Sequence, residues 1–118
     1  YYATRDPAAQ SPLTADSPEV EDLVARMQAT PPGTLFLARN PRLFALLAGR
    51  PAVAWPEHLT PEGFDATIAR FRPAYLIEET WLRTEEANIL ARIAAPLAIT
   101  YENPAYRLRA IPATAPGR

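Results

Sequence analysis

Four short apolar runs begin at residues 34, 52, 74 and 97, and this spacing limits the chain more than any other feature. The gaps between starts are 18, 22 and 23 residues, and each holds one stretch with helical periodicity. A strand of about five residues, a helix of about ten and two turns fill such a gap, which is the cadence of right-handed βαβ crossovers in a parallel sheet.

The helix signals are local and specific. Ser17-Pro18-Glu19 places a capping serine, a proline at the first helical position and an acid in the positive first turn. Val20, Leu23, Val24 and Met27 follow as one apolar stripe, closed by Pro31-Pro32-Gly33. Asn40-Pro41 opens a second helix with Leu43, Phe44, Leu46 and Leu47, and Gly49 is its stop. Thr60-Pro61-Glu62 opens a third with Phe64, Ile68 and Phe71, and Thr84-Glu85-Glu86 a fourth with Ile89, Leu90 and Ile93. Many of the chain's 14 prolines therefore sit at element boundaries, as in a folded domain.

The strands are Thr34–Ala38, Ala52–Trp55, Ala74–Glu78, Leu97–Tyr101 and Ala105–Ile111. The last two are separated only by a turn at Asn103-Pro104, too short for a crossover, so they form an antiparallel hairpin. In the last strand Tyr106, Leu108 and Ala110 share one face, and Arg107 and Arg109 the other. That alternation predicts a sheet edge with one wetter face. The expected fold is an α/β three-layer αβα sandwich with about five strands, mostly parallel, ending in an antiparallel hairpin. Residues 1–16 read as an irregular lead-in, 17–112 as a single domain and 113–118 as a tail. No internal repeat or low-complexity tract is present.

Composition narrows the chemistry. Thirteen acids against twelve bases argue against a general electrostatic grip on nucleic acid. All twelve bases are arginine, which reads as coding bias. The absence of cysteine removes thiolate nucleophiles and zinc–thiolate sites, and a single histidine, His58, leaves no multi-histidine metal site. No metal or cofactor is expected. No apolar run reaches the ~20 residues of a membrane span. The chain has four glycines, none in a phosphate-cradling pattern, and Pro41 removes an amide from the turn after the first strand. A receiver domain would need an acid there, where Arg39-Asn40 stands.

In open α/β sheets, ligands collect beyond the carboxyl ends of the parallel strands. Those ends carry Arg39, Asn40 and Arg42 after the first strand, Glu57 and His58 after the second, and Glu78, Glu79 and Trp81 after the third. Two readings stay open: a solvated rim laced with ion pairs, or a pocket for a small polar, anionic or sugar-like ligand. Glu78 and Glu79 are adjacent, so their side chains point to opposite faces and do not serve one site. One of the pair is expected to be partly covered and paired with arginine, the other solvated. Tyr1 and Tyr2 fit either a membrane interface or packing on the domain.

Residues 31–57, PPGTLFLARNPRLFALLAGRPAVAWPE, resemble the C-terminal soluble region of bacterial polytopic membrane proteins of the GT-C glycosyltransferase superfamily, the dolichyl-phosphate-mannose-protein mannosyltransferase-like and aminoarabinose transferase-like proteins. The matching residues are Pro31, Pro32, Arg39, Pro41, Arg42, Gly49, Arg50, Ala52 and Val53, and the closing LAITYENPAYR, residues 97–107, is similar to the family's final hairpin. The resemblance covers roughly residues 18–111. It implies an accessory domain on the extracytoplasmic face of the cytoplasmic membrane, partnered by the rest of a transferase that takes a sugar from a polyprenyl-phosphate donor, with glycan acceptor or lipid-linked sugar as further partners. The family's catalytic acid lies near its N-terminal membrane helices, so no catalytic residue is carried over to this chain. The alternatives are a free-standing α/β binding module at the strand ends, or a small glycosidase using Glu78 and Glu57.

Overall fold

The computed structural model of the chain describes residues 17–56, 59–82 and 84–112. Four helices, α1 (Pro18–Gln28), α2 (Pro41–Ala48), α3 (Pro61–Phe71) and α4 (Glu85–Ala94), alternate with β1 (Phe36–Ala38), β2 (Ala52–Ala54) and β3 (Tyr75–Glu79). The hairpin of β4 (Ile99–Glu102) and β5 (Tyr106–Ala110) closes the chain. The expected caps do most of the punctuation. Asn40 Oδ1 accepts from Leu43 N at 3.4 Å, Thr60 Oγ1 from Gly63 N at 3.0 Å and Thr84 Oγ1 from Ala87 N at 3.1 Å. Gly49 ends α2 with a left-handed φ of 68°. Arg72 takes the same region, φ 51°, after α3, a conformation that costs a residue with a Cβ about 1 kcal/mol or more.

The sheet order is β2-β1-β3-β5-β4. β1 pairs in parallel with β2 and β3, whereas β5 runs antiparallel to both β3 and β4. The α/β sandwich expected from the spacing is present. One face carries α1 and α2, packing Val20, Leu23, Met27 and Phe44 against Phe36, Ile77 and Leu108. The opposite face carries α3 and α4, packing Phe64, Ile68, Leu90 and Ala94 against Leu37 and Leu76.

The place of the last strand differs from expectation. β5 is not an edge: it inserts between β3 and β4, and Arg109, expected on a wet face, is buried. The β3–α4–β4 crossover lands one position beyond the adjacent slot, and the returning hairpin fills that slot. The real edges are blunted. β2 has three residues flanked by Pro51 and Pro56, and β4 pairs with β5 through an irregularity between Ile99 and Tyr101.

Two side chains lock the connections. Arg50 donates to Gln28 O at 2.8 Å, to Thr30 O at 2.7 Å and, more weakly, to Gly49 O at 3.4 Å. One guanidinium thus gathers carbonyls at the carboxyl ends of α1 and α2, where the helix dipole favours a cation. The Asn103 amide donates to Glu19 O at 3.1 Å and Tyr101 Oη at 2.8 Å, and its oxygen accepts from Ala105 N and Tyr106 N at 2.9 and 2.8 Å. It shapes the β4–β5 turn and ties that turn to α1. Asn103→Ala removes all four bonds, so urea unfolding is expected to show a loss of about 1–3 kcal/mol with an unchanged m-value.

Candidate functional site: the carboxyl ends of β1 and β3

The chain leaves β1 through α2 on one sheet face toward β2, and leaves β3 through α4 on the other face toward β4. The two connections diverge, so β1 and β3 flank the topological switch point, the usual site of a ligand crevice in open α/β sheets. Arg39, the first residue past β1, and Glu79, the last of β3, meet there. Arg39 Nε and Nη2 donate side-on to the two oxygens of Glu79, the second bond measuring 3.1 Å. The Glu79 side chain is 6% exposed and that of Arg39 41%. This fork-to-fork geometry raises the pKa of Arg39 chiefly through the Glu79 hydrogen bond, with burial opposing and the charges of Glu79 and Glu86 adding to it.

Tyr106 lies opposite Glu79 in the β3–β5 register and is almost fully buried, its ring edge-on to Phe44 at 5.8 Å. Burial pushes its hydroxyl up to about 12, helped by the negative charge of Glu79 and countered by the Trp81 indole and Arg39. Trp81 packs against the same core, and its buried Nε1 finds no partner within hydrogen-bonding geometry among the described residues. The result is a small polar cluster of Arg39, Glu79, Tyr106 and Trp81 on the α1–α2 side of the sheet.

Glu78 occupies the other face. Arg109 Nε donates to Glu78 Oε1 at 2.8 Å and Arg109 Nη1 to Leu97 O at 2.8 Å, while Arg107 stands 3.5 Å from Glu78 and bridges to Glu102 at 2.7 Å. The expectation that one carboxylate of the pair would be solvated is therefore corrected: Glu78 and Glu79 are both buried, on opposite faces, each held by arginine. Buried carboxylates require such partners, because an unpaired charge there would cost several kcal/mol.

The other candidates separate from this cluster. Asn40 caps α2, Arg42 is exposed on the first turn of that helix, and Glu57 and His58 lie outside the described residues. The rim residues thus supply Arg39 and Trp81 to the cluster and place Glu78 across the sheet. Tyr106 was legible only as a core residue of the last strand, because alternation reports which face a ring occupies and not where its hydroxyl ends. The usable signal for the pairing was charge complementarity: two glutamates ending an otherwise apolar strand, and two arginines alternating in the final one.

Elsewhere, a cleft of about 230 Å³ opens between α3 and α4, lined by Phe64, Ile68, Ile93, Leu97 and Ile111 with Asp65 at its wall. Among the described residues no helix is long and apolar enough to cross a membrane, and no group of three or more acidic or histidine side chains gathers as metal ligands.

No protein-family model matches the chain, and neither a curated protein nor a solved structure gives a match.

The Tyr106 shift carries a definite sign. The unfolded hydroxyl ionises near pH 10, the folded one near 12, so between these values the unfolded chain releases a proton that the native state retains. Stability is unaffected below pH 10 and falls as pH rises from 10 to 12, by about 2–3 kcal/mol for a shift of this size. Urea titrations across that range, read beside tyrosinate absorbance, should show the fall, and Tyr106→Phe should remove it.

Proposed function

We propose that this chain is a non-catalytic accessory domain, borne on the extracytoplasmic face by a membrane-embedded glycosyltransferase-like protein that uses a polyprenyl-phosphate-linked sugar. The resemblance of residues 31–57 and 97–107 to the soluble region of that superfamily supplies the setting. The observation that carries the non-catalytic reading is the disposition of the buried acids. Acid–base work on a glycosidic bond needs two carboxyl groups about 5–10 Å apart around one substrate. Here Glu78 and Glu79 face opposite sides of the sheet, and each is engaged by arginine.

Several of the residues that carry the resemblance have scaffold roles, which also supports an accessory part. Pro41 starts α2, Gly49 ends it, Arg50 draws two helix ends together and Asn103 builds the terminal turn. In this role the domain covers or borders the membrane part and helps to position acceptor or partner, while transfer chemistry belongs to the membrane-embedded portion.

Sequencing the gene upstream of the Tyr1 codon tests the proposal. It predicts a continuous reading frame with about eight or more apolar spans of ~20 residues. A frame that begins close to Tyr1, or an upstream region without such spans, would contradict it.

A further inference from the structure

The two helical layers differ in how their helices meet. α1 and α2 pack against each other, whereas α3 and α4 leave between them the cleft of about 230 Å³. Phe64, Ile68 and Ile111 form its buried floor, and the partly buried Ile93 and Leu97 its flank. The backbone at this wall is already bonded. Leu97 O accepts from Arg109 Nη1 at 2.8 Å, Leu97 N donates to Ala94 O at 2.8 Å, and Ile111 N donates to Ala74 O at 2.9 Å. A buried water needs about two to four polar partners, so a floor of this kind holds water poorly and hydrocarbon well.

Size and shape narrow the guest. An apolar cavity of about 150 Å³ accommodates benzene, so about 230 Å³ corresponds, in simple proportion, to about nine carbons. The lining runs along α3 from Pro61 to Ile68, about 10 Å at the helical rise per residue. A slot of that length suits an extended chain better than a ring.

Charge then selects the head group. Among the described residues Asp65 is the only charged side chain in the lining, and it is exposed at the wall. A carboxylate or phosphate head would meet a like charge there and no counter-ion. An ammonium head meets its complement. Asp65 already has an interaction of its own, and a carboxylate with about four acceptor sites can take a further hydrogen bond from a guest.

We infer that the cleft between α3 and α4 binds a medium-chain primary alkylamine, with a chain of about eight or nine carbons along α3 and its ammonium at Asp65. The site stands independently of whether the domain belongs to a larger membrane protein.

The test is a titration of the ¹³C-methyl-labelled chain with n-octylamine at neutral pH, where the amine is protonated, and with sodium octanoate at matched ionic strength. Octylammonium is expected to shift the methyl resonances of Ile68, Ile93 and Ile111 saturably, and to bind about fivefold tighter than octanoate, the scale of an exposed charge pair. Along the series from butylamine to dodecylamine, affinity should rise about three- to fourfold per methylene and level off near nine carbons, when the cleft is full. Asp65→Asn should bring the octylammonium and octanoate affinities together. Ile93→Trp, which fills the cleft from its open flank, should abolish the saturable shifts of Ile68 and Ile111. Because Asp65 is exposed, Asp65→Asn decides the matter if Ile93→Trp does not fold. The assignment would be overturned by no saturable shift with any amine, by octanoate binding as tightly as octylammonium, or by affinity that climbs through dodecylamine without levelling. Unchanged affinities in a folded variant, or methyl shifts that follow protein concentration as a second copy fills the cleft, would overturn it as well.

Discussion

Strand β3 carries two adjacent carboxylates, and everything around it is arranged to make both tolerable. In a central strand neighbouring side chains point to opposite layers, so Glu78 and Glu79 cannot share a counter-ion. Each layer must provide its own. The α1–α2 layer receives Arg39 from the end of β1, and the α3–α4 layer receives Arg109 and Arg107 from β5. β3 is thereby tied through charge to the parallel half of the sheet on one side and to the antiparallel half on the other.

These pairs specify more than they stabilise. A buried ion pair recovers little beyond its desolvation cost and is often no better than a hydrophobic pair of the same size. Its force is against the wrong arrangement. A one-residue slip of β5 against β3 would carry Arg107 and Arg109 to the face of Phe44 and Ile77 and leave Glu78 without a partner. The apolar residues of β3 and β5 would tolerate such a slip far better than the charges do. The mixed sheet thus has its register set where it changes from parallel to antiparallel pairing, which is also where the crossover β3–α4–β4 leaves room for the hairpin strand.

Much of this fold was legible in the residues, because its signals are local. Asn40-Pro41, Thr60-Pro61 and Thr84 announce their helices by capping chemistry, and the strand spacing gives the crossovers. What was not legible depends on contacts distant in sequence. Alternation in Ala105–Ile111 looked like an edge because Arg107 and Arg109 resemble solvent-facing residues. Only the position of Glu78, some thirty residues earlier, turns that face into an interior one. The same limit applies at the carboxyl ends of β1 and β3. Arg39 and Trp81 stood out at strand ends, but that Arg39 is held by Glu79 over the buried Tyr106 follows from the sheet order, which no local pattern encodes.

The two faces of β3 consequently have different chemical characters. On the α3–α4 side the carboxylate is sealed beneath the sheet's own arginines, and on the α1–α2 side its partner reaches solvent at the switch point. One pair is closed off within the sheet, while the other has a half-exposed arginine. The scaffold role is the central claim, and a double-mutant cycle on Glu78→Gln and Arg109→Gln, read by urea unfolding, measures it most directly. The account predicts a coupling energy of about 1–3 kcal/mol between the two positions, whereas additivity within about 0.3 kcal/mol would contradict it.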